Sequence, residues 1–260
     1  MYKLSLRKIS KSFSRHAGET THILNNIDLE ITDGAFFTLL GPSGCGKSTL
    51  LNIVAGFEEP TTGDLEVNGA AIKGPGTDRT VIFQDVSNAL FPYMTVFENV
   101  EFGPKMSGQS KSVRRETVEK YLKLVHLSKD AEKFPYEISG GMKQRVQIAR
   151  ALANDPDILL MDEPFASLDA ITKKHLQVEL RRIWEETRKT IFYITHDIIE
   201  ALMLSTRLAV MTCGPNATLK AIFDIDLGQH RSPTNKQFAA LYDEIEELIE
   251  EEINKRMVDG

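Results

Sequence analysis

Gly41-Pro42-Ser43-Gly44-Cys45-Gly46-Lys47-Ser48-Thr49 fits the pattern G-x-x-x-x-G-K-[ST] and follows directly on a strand-like apolar run, Ala35 to Leu40. Strand, glycine-rich turn and helix start, in that order, point to an α/β layer. The turn can aim its backbone N–H groups inward, so that a polyphosphate sits at the N-terminus of the following helix, Lys47 to Ala55. Lys47 is then placed to meet the β- and γ-phosphates, and the Ser48 hydroxyl to ligate Mg²⁺. The competing reading is a chance glycine-rich turn, which the strand before and the helix after argue against. Alone, the pattern says only that a nucleotide binds.

Further motifs narrow this. Ile158 to Met161 is a continuous apolar run that ends in Asp162-Glu163-Pro164, which is how a buried parallel strand delivers acids to the carboxyl edge of a sheet. Ligands of open α/β sheets bind at that edge. Asp162 is placed to hold the hydration shell of Mg²⁺ and Glu163 to polarise an attacking water, the two roles that in-line phosphoryl transfer needs. A solvated acidic strand end would explain one carboxylate better than the pair. Ser139 is a natural N-cap for a helical pattern running through Ala149, Leu152 and Ala153, and Gly140 and Gly141 expose helix N–H groups, which makes a second anion site or a simple cap. Ser167-Leu168-Asp169 follows, and then Thr190 to Thr195, another strand, with His196 at its polar tip. His196 is either a core histidine or a group that reaches a γ-phosphate.

In this order the motifs resemble the ATP-binding subunit of an ABC transporter over nearly the whole chain. Ile138 to Met142 is similar to that family's signature motif, with Ile138 and Met142 in place of the usual Leu and Gln. Gln84 matches the Q-loop, where the family places a group near the metal and the attacking water; Ser167, Leu168 and Asp169 match the D-loop of the dimer interface; His196 matches the switch histidine. Phe13 falls where the family stacks an aromatic on adenine. The segments Gly74 to Gln84, Phe134 to Arg145 and Leu176 to Trp184 resemble the nitrate, sulfonate and taurine importer branch. The resemblance implies a P-loop NTPase core of the α/β class with an antiparallel β subdomain and an inserted helical subdomain. Residues 1–87 and 156–215 would form the nucleotide-binding core with the β subdomain, 88–155 the helical subdomain, and 216–260 a strand and an acidic helix. It also implies a head-to-tail homodimer, each ATP lying between Gly41 to Thr49 of one copy and Ser139 to Gly141 of the other. Transmembrane permease subunits, and through them an extracytoplasmic solute-binding protein, are the further implied partners. The working place would be the cytoplasmic face of the membrane, held peripherally by the permease. Alternatives are a non-transport ABC ATPase acting on nucleic acid or ribosomes, or an exporter subunit.

Composition sets outer limits. A net charge of -6 argues against a general nucleic-acid binder. The longest apolar runs fall far short of the ~20 residues of a membrane span. Two cysteines and six scattered histidines have no metal-ligand spacing. Cys45 lies among N–H donors beside Lys47, surroundings that can lower a thiol pKa, or else it is a small filler. Seven acids between Asp243 and Glu252 share a helical pattern with Phe238, Leu241, Ile245, Leu248 and Ile249, an amphipathic helix with a solvated face, for which Thr234 and Gln237 have capping-box spacing. Strands are expected at Thr80 to Phe83, Leu208 to Thr212 and Ile222 to Leu227, and a helix over Lys111 to Leu127. Asp85 to Pro92 looks about two residues longer than the family pattern. Its Leu90 and Phe91, with Tyr93, form an apolar group that either receives a permease helix or folds back onto the helical subdomain.

Overall fold

A computed structural model describes residues 2–14, 20–85, 89–228 and 231–259. In chain order its elements begin with β1 (Tyr2–Ser14), β2 (Thr20–Thr32), β3 (Phe36–Leu40), α1 (Lys47–Ala55), β4 (Thr62–Val67), β5 (Ala70–Ala71) and β6 (Arg79–Ile82). Then come α2 (Val96–Met106), α3 (Lys111–Leu124), α4 (Gly140–Ala153), β7 (Ile158–Asp162) and α5 (Ala170–Thr187). The chain closes with β8 (Thr190–Thr195), α6 (Ile198–Leu204), β9 (Arg207–Met211), β10 (Leu219–Asp224) and α7 (Lys236–Asp259). Two compact units result, Met1–Gly76 with Lys189–Gly260, and Thr77–Arg188. Part of the expected long connection, Val86 to Asn88, lies outside the described residues.

The first unit contains an antiparallel sheet in the order β2-β1-β4-β5 and the strands β10-β9-β3-β8. Every residue of β3 and of β8 is buried, which is why both read as unbroken apolar runs rather than as alternation. Phe37 stacks on Phe192 with ring centroids 5.6 Å apart, and Phe36 meets Tyr193 at 5.7 Å. Across the sheet, Leu40, Leu208 and Val210 form one cluster with Leu202 of α6 and Phe238 and Ile245 of α7. The acidic helix is therefore seated by its apolar stripe, as its pattern implies. Its start differs from expectation. The helix opens at Lys236, and Asn235 caps it by accepting the Gln237 N–H at 2.9 Å, while the Thr234 hydroxyl pairs with that of Ser232. The last strand also sits earlier than its apolar pattern, at Leu219–Asp224, because Ile225 and Leu227 are buried anchors beyond the ladder with β9.

In the second unit, β6 and β7 pair in parallel and the other regular elements among the described residues are helices. α3 stops at Leu124, short of the expected Leu127, because His126 takes a left-handed φ of 58°. Val125 and Leu127 stay buried on either side of that turn. Thr95 caps α2 in a full capping box with Glu98. The fully buried Asn99 holds the incoming chain. Its Oδ1 accepts the Phe91 N–H at 2.9 Å, and its Nδ2 reaches the carbonyls of Phe91, Met94 and Thr95. Leu90 is buried, and Phe91 packs on Phe102 with centroids 4.6 Å apart, so both fold back onto the helical unit; Tyr93 remains 71% exposed. Among the described residues no helix is long and apolar enough to cross a membrane.

Asn99→Ala strips four polar contacts from buried backbone. It should lower unfolding stability by roughly 2–4 kcal/mol, read as a drop in denaturation midpoint with helix content retained at low temperature.

Candidate functional site

Register decides which loops share an edge. In the first unit β3 runs parallel to β8 with Leu40 level with Thr195, and parallel to β9 with Leu40 level with Val210. The glycine loop after Leu40 and His196 after Thr195 therefore leave the same carboxyl edge, where ligands of such sheets bind. Gly44 and Gly46 have left-handed φ values of 79° and 98°. A Cβ at Gly46 would lie 2.9 Å from Leu24 Cδ2 and 3.0 Å from Ile23 Cγ2, so glycine is required there by backbone and by space. Gly46 is also the N-cap of α1, with no side-chain cap, which leaves the first N–H groups of the helix for an anion. Lys47 is 5% exposed and folds its ammonium back onto the loop, donating to the Gly41 carbonyl at 2.7 Å and the Pro42 carbonyl at 2.9 Å. Ser43 and Ser48 are exposed, Pro42 and Thr49 half-buried.

Phe13 closes β1, where it faces Thr21 of β2, and is 40% exposed; it is a surface aromatic rather than core. The Lys11 ammonium lies 4.8 Å from its ring centroid and is held there by Glu58 at 2.5 Å and the Glu59 carbonyl at 2.7 Å. His196 is exposed. Its neighbours are fixed firmly. The Thr195 hydroxyl donates to the buried Glu200 carboxylate and accepts the Asp197 N–H at 3.1 Å, and Asp197 caps α6 through the Glu200 N–H.

In the second unit, β6 and β7 are level at Ile82 and Met161, so Gln84 and the pair Asp162-Glu163 also share one edge. Gln84 is exposed, and the two acids are half-buried. Glu163 has a φ of 43°, a left-handed conformation that costs a branched or long side chain on the order of 1–3 kcal/mol. Ser139 caps α4 by accepting the Met142 N–H at 3.3 Å. Asp169 caps α5 by accepting the Thr172 N–H at 3.0 Å, and this bond from a backbone donor holds its carboxyl below the usual range. A Cβ on Gly141 would lie 2.8 Å from Thr172 Cγ2, and one on Gly140 3.4 Å from Leu168 Cδ2. The start of α4 and the Ser167-Leu168-Asp169 segment are thus packed against each other. In sequence the two are separate motifs, and only the spacing of three between Asp169 and Thr172 signals the part that Thr172 plays. Lys11 and Glu200 carry no such signal, since nothing local in sequence ties them to Phe13 or Thr195.

Of the two readings of Cys45, a small filler and a reactive thiol, the first holds. It is 1% exposed, and burial pushes its thiol up, outweighing the nearby Lys47 ammonium, which lies 3.9 Å from Sγ. The residue is a buried filler under the loop.

Residues 24–166, more than half of the 260, match the family model described as ABC transporter. The chain belongs to that family. The taurine import ATP-binding protein TauB of Jannaschia sp. is 44% identical over 265 residues, covering 98% of each chain. Two solved structures share the fold. The cbiO1 protein of Clostridium perfringens, described as part of the transporter complex cbiONQ, has a TM-score of 0.77 and 27% identity over 86% of this chain and 88% of that one. The ATP-binding cassette MJ0796, described as a dimer in a post-hydrolysis state bound to ADP and Pi, has a TM-score of 0.71 and 31% identity over 86% and 99%. The fold is that of an ABC ATPase, as the motifs implied.

For this ABC ATPase the burial of Cys45 sets an order of labelling. At pH 7 iodoacetamide should modify the half-exposed Cys213 before Cys45, and Cys45 labelling should accelerate only above the ordinary thiol range, because the reactive thiolate forms late there. Peptide mapping by mass spectrometry reads the order directly, and faster modification of Cys45 would contradict it.

Proposed function

We propose that this ABC ATPase binds ATP at Gly41–Thr49, hydrolyses it between two copies of the chain, and so drives import of a small sulfonate of the taurine type through a separate permease. The observation that carries the solute class is identity of 44% over 98% of both chains with a protein named for taurine import. The dimeric state described for MJ0796 supports the pairing of copies.

This reading gives each residue a chemical role. N–H groups of the Gly41 to Thr49 loop and the N-terminus of α1 bind phosphate oxygens. Lys47 exchanges its two carbonyl acceptors for the β- and γ-phosphates, an exchange that strengthens both bonds because the new acceptors are charged. Phe13 offers adenine the ring face away from Lys11. In this reading Ser48 would hold Mg²⁺ through its hydroxyl oxygen, Asp162 through water and Gln84 through its amide oxygen, the oxygen ligands that ion prefers. When bound, that ion neutralises charge developing on the transferred phosphoryl group. Glu163, just past the strand end, takes the proton of the attacking water, and His196 steadies the γ-phosphate. Ser139, Gly140 and Gly141 of the second copy supply the other helix N-terminus, and Ser167 to Asp169 bear on the dimer contact. Once phosphate leaves, the charge that both copies shared is gone and they separate, a change in a bistable interface.

Permease docking is assigned to the helical unit. A cavity of about 270 Å³ there is lined by Thr80, Ile82, Phe91, Phe102, Gln147 and Arg150. The Arg150 guanidinium lies 5.5 Å from the Phe91 ring, and exposed Tyr93 stands 6.1 Å from it, centroid to centroid. Through the permease the subunit is peripheral on the cytoplasmic face, and the extracytoplasmic binding protein delivers the solute.

Three outcomes test this reading. Glu163→Gln keeps shape and loses basicity, so it should bind ATP, lose roughly 10²–10⁴-fold in turnover and accumulate as a dimer on gel filtration. Wild-type turnover would remove Glu163 from the base role. Mixing Lys47→Ala with Ser139→Arg chains should restore one competent site per mixed dimer; confirmed mixed dimers without activity would refute the shared site. Tyr93→Asp should weaken assembly with the permease while basal ATPase activity of the isolated subunit stays unchanged, and normal assembly would move docking elsewhere. Solute identity is read separately, as taurine-stimulated ATPase of the reconstituted transporter.

A further inference from the structure

Two segments remote in sequence lie against the phosphate loop, at three points. At its end, Gly46 is covered by Ile23 and Leu24 of β2. At its beginning, a Cβ on Gly41 would lie 3.2 Å from Met211 Cβ and 3.4 Å from the Met211 carbonyl. In the middle, a Cβ on Gly214 would lie 3.2 Å from the Gly44 carbonyl and 3.7 Å from Cys45 Cα. The two walls are joined to each other. Asn216 and Ala217 donate their N–H groups to the His22 and Ile23 carbonyls at 3.0 and 2.9 Å, and Asn25 donates back to Ala217 at 2.9 Å. The segment Met211 to Ala217 is thus one continuous outer wall of the loop, closed at its base by the exchange between Thr212 and Thr218.

One side chain grips that wall from behind. Glu252, near the end of α7 and only 7% exposed, accepts the Cys213 N–H on Oε2 at 3.2 Å. Its Oε1 accepts from Lys220 at 2.9 Å and from Lys255 at 3.2 Å, and Lys220 also bonds Glu251 and the Leu248 carbonyl. Burial alone would raise this carboxyl, but the bonds from Lys220, Lys255 and the Cys213 N–H prevail and hold it below the usual range. A buried, charged acceptor with three donors is a costly arrangement to keep unless all three are made. Its contact with backbone, rather than with another side chain, fixes the position of the peptide between Thr212 and Cys213. That peptide is the step immediately before Gly214 touches the loop.

We propose that Glu252 is a positioning residue for nucleotide binding: through the Cys213 N–H it holds the Met211–Ala217 wall against Gly41–Gly46, so the C-terminal helix sets the shape of the phosphate loop. The inference rests on the reading above that Gly41–Thr49 holds the nucleotide. Glu252 lies on the far side of the wall and acts only through it. Loss of the contact loosens the wall and leaves the loop's N–H groups poorly aligned before binding, which weakens affinity. Once ATP is bound it supplies its own anchor for the loop, so the hydrolysis step is spared.

The test uses the full chain, with ATP affinity measured by displacement of a fluorescent ATP analogue and KM and kcat by steady-state hydrolysis. Glu252→Ala should raise Kd and KM for ATP about three- to tenfold, with kcat within twofold of wild type. Glu252→Gln keeps an acceptor for the Cys213 N–H and should recover most of the affinity. Lys220→Met removes an ion pair at the same place but leaves the backbone contact, so it should lower Tm without a comparable change in Kd. Unchanged affinity in Glu252→Ala overturns the proposal, as does a Lys220→Met chain that loses as much affinity as Glu252→Ala at equal Tm. Should the alanine variant not fold, Glu252→Asp carries the same test: it keeps the charge and shortens the reach by one methylene, and affinity loss with kcat retained supports the inference while wild-type affinity overturns it. Lys47→Ala separates the two readings, because normal ATP binding by that variant would sink the assignment of the phosphate loop itself.

Discussion

The tight approach of β2 to the glycine loop is the constraint on which the first unit depends. Ile23 and Leu24 press on Gly46 from within 3.0 Å of where a side chain would begin, and the backbone there turns left-handed. No other residue type fits both conditions. Because the loop has no slack at that point, its N–H groups keep one direction, and α1 begins where it must for an anion to sit on its axis. The burial of β3 on all sides has the same effect at the other end of the loop. A phosphate site made of backbone donors is only as good as the rigidity of that backbone, and here packing against Gly46 adds to the bonds that Lys47 makes to the Gly41 and Pro42 carbonyls within the loop.

The second unit is organised differently. Its helix starts are held by caps and by local polar contacts: Ser139 on Met142, Asp169 on Thr172, Thr95 on Glu98, and Asn99 on the carbonyls of Phe91, Met94 and Thr95. Each cap satisfies orphan N–H groups of a helix start. Arg145 of α4 reaches Glu179 of α5 at 2.7 Å; burial raises that carboxyl and Arg145 opposes the rise. The helix starts of this unit are therefore capped locally, and a half-buried ion pair joins α4 to the middle of α5.

Much of this was legible in the chain because the signals are local. The run Ala35 to Leu40, ended by glycine, became β3, the run Ile158 to Met161, ended by acids, became β7, and the periodic stretch after Ser139 became α4 with the expected cap. Where reading failed, the deciding contact was distant or competed with an equally good local partner. Thr234 has the right spacing for a cap, but its hydroxyl is taken by Ser232, and Asn235 stands one residue nearer the helix. For Cys45 the sequence left a reactive thiol and a small filler both open, and burial under the loop decides for the filler. Leu90 and Phe91 carry no periodicity, since a single buried asparagine eight residues on, rather than a regular element, fixes them.

Glu163 brings two demands into conflict at one position. A φ of 43° is a conformation that glycine or asparagine adopts at little cost, whereas the proposed chemistry needs a carboxylate on a long arm. Replacement by glycine would relieve the backbone and silence the protein. A library selected only for heat resistance would accordingly drift toward dead variants at this residue, and an optimiser that scores backbone fit would recommend the same change. Thermal ruggedness and turnover are coupled with opposite sign at the end of β7, so a stabilising change there is to be judged by turnover and not by melting temperature.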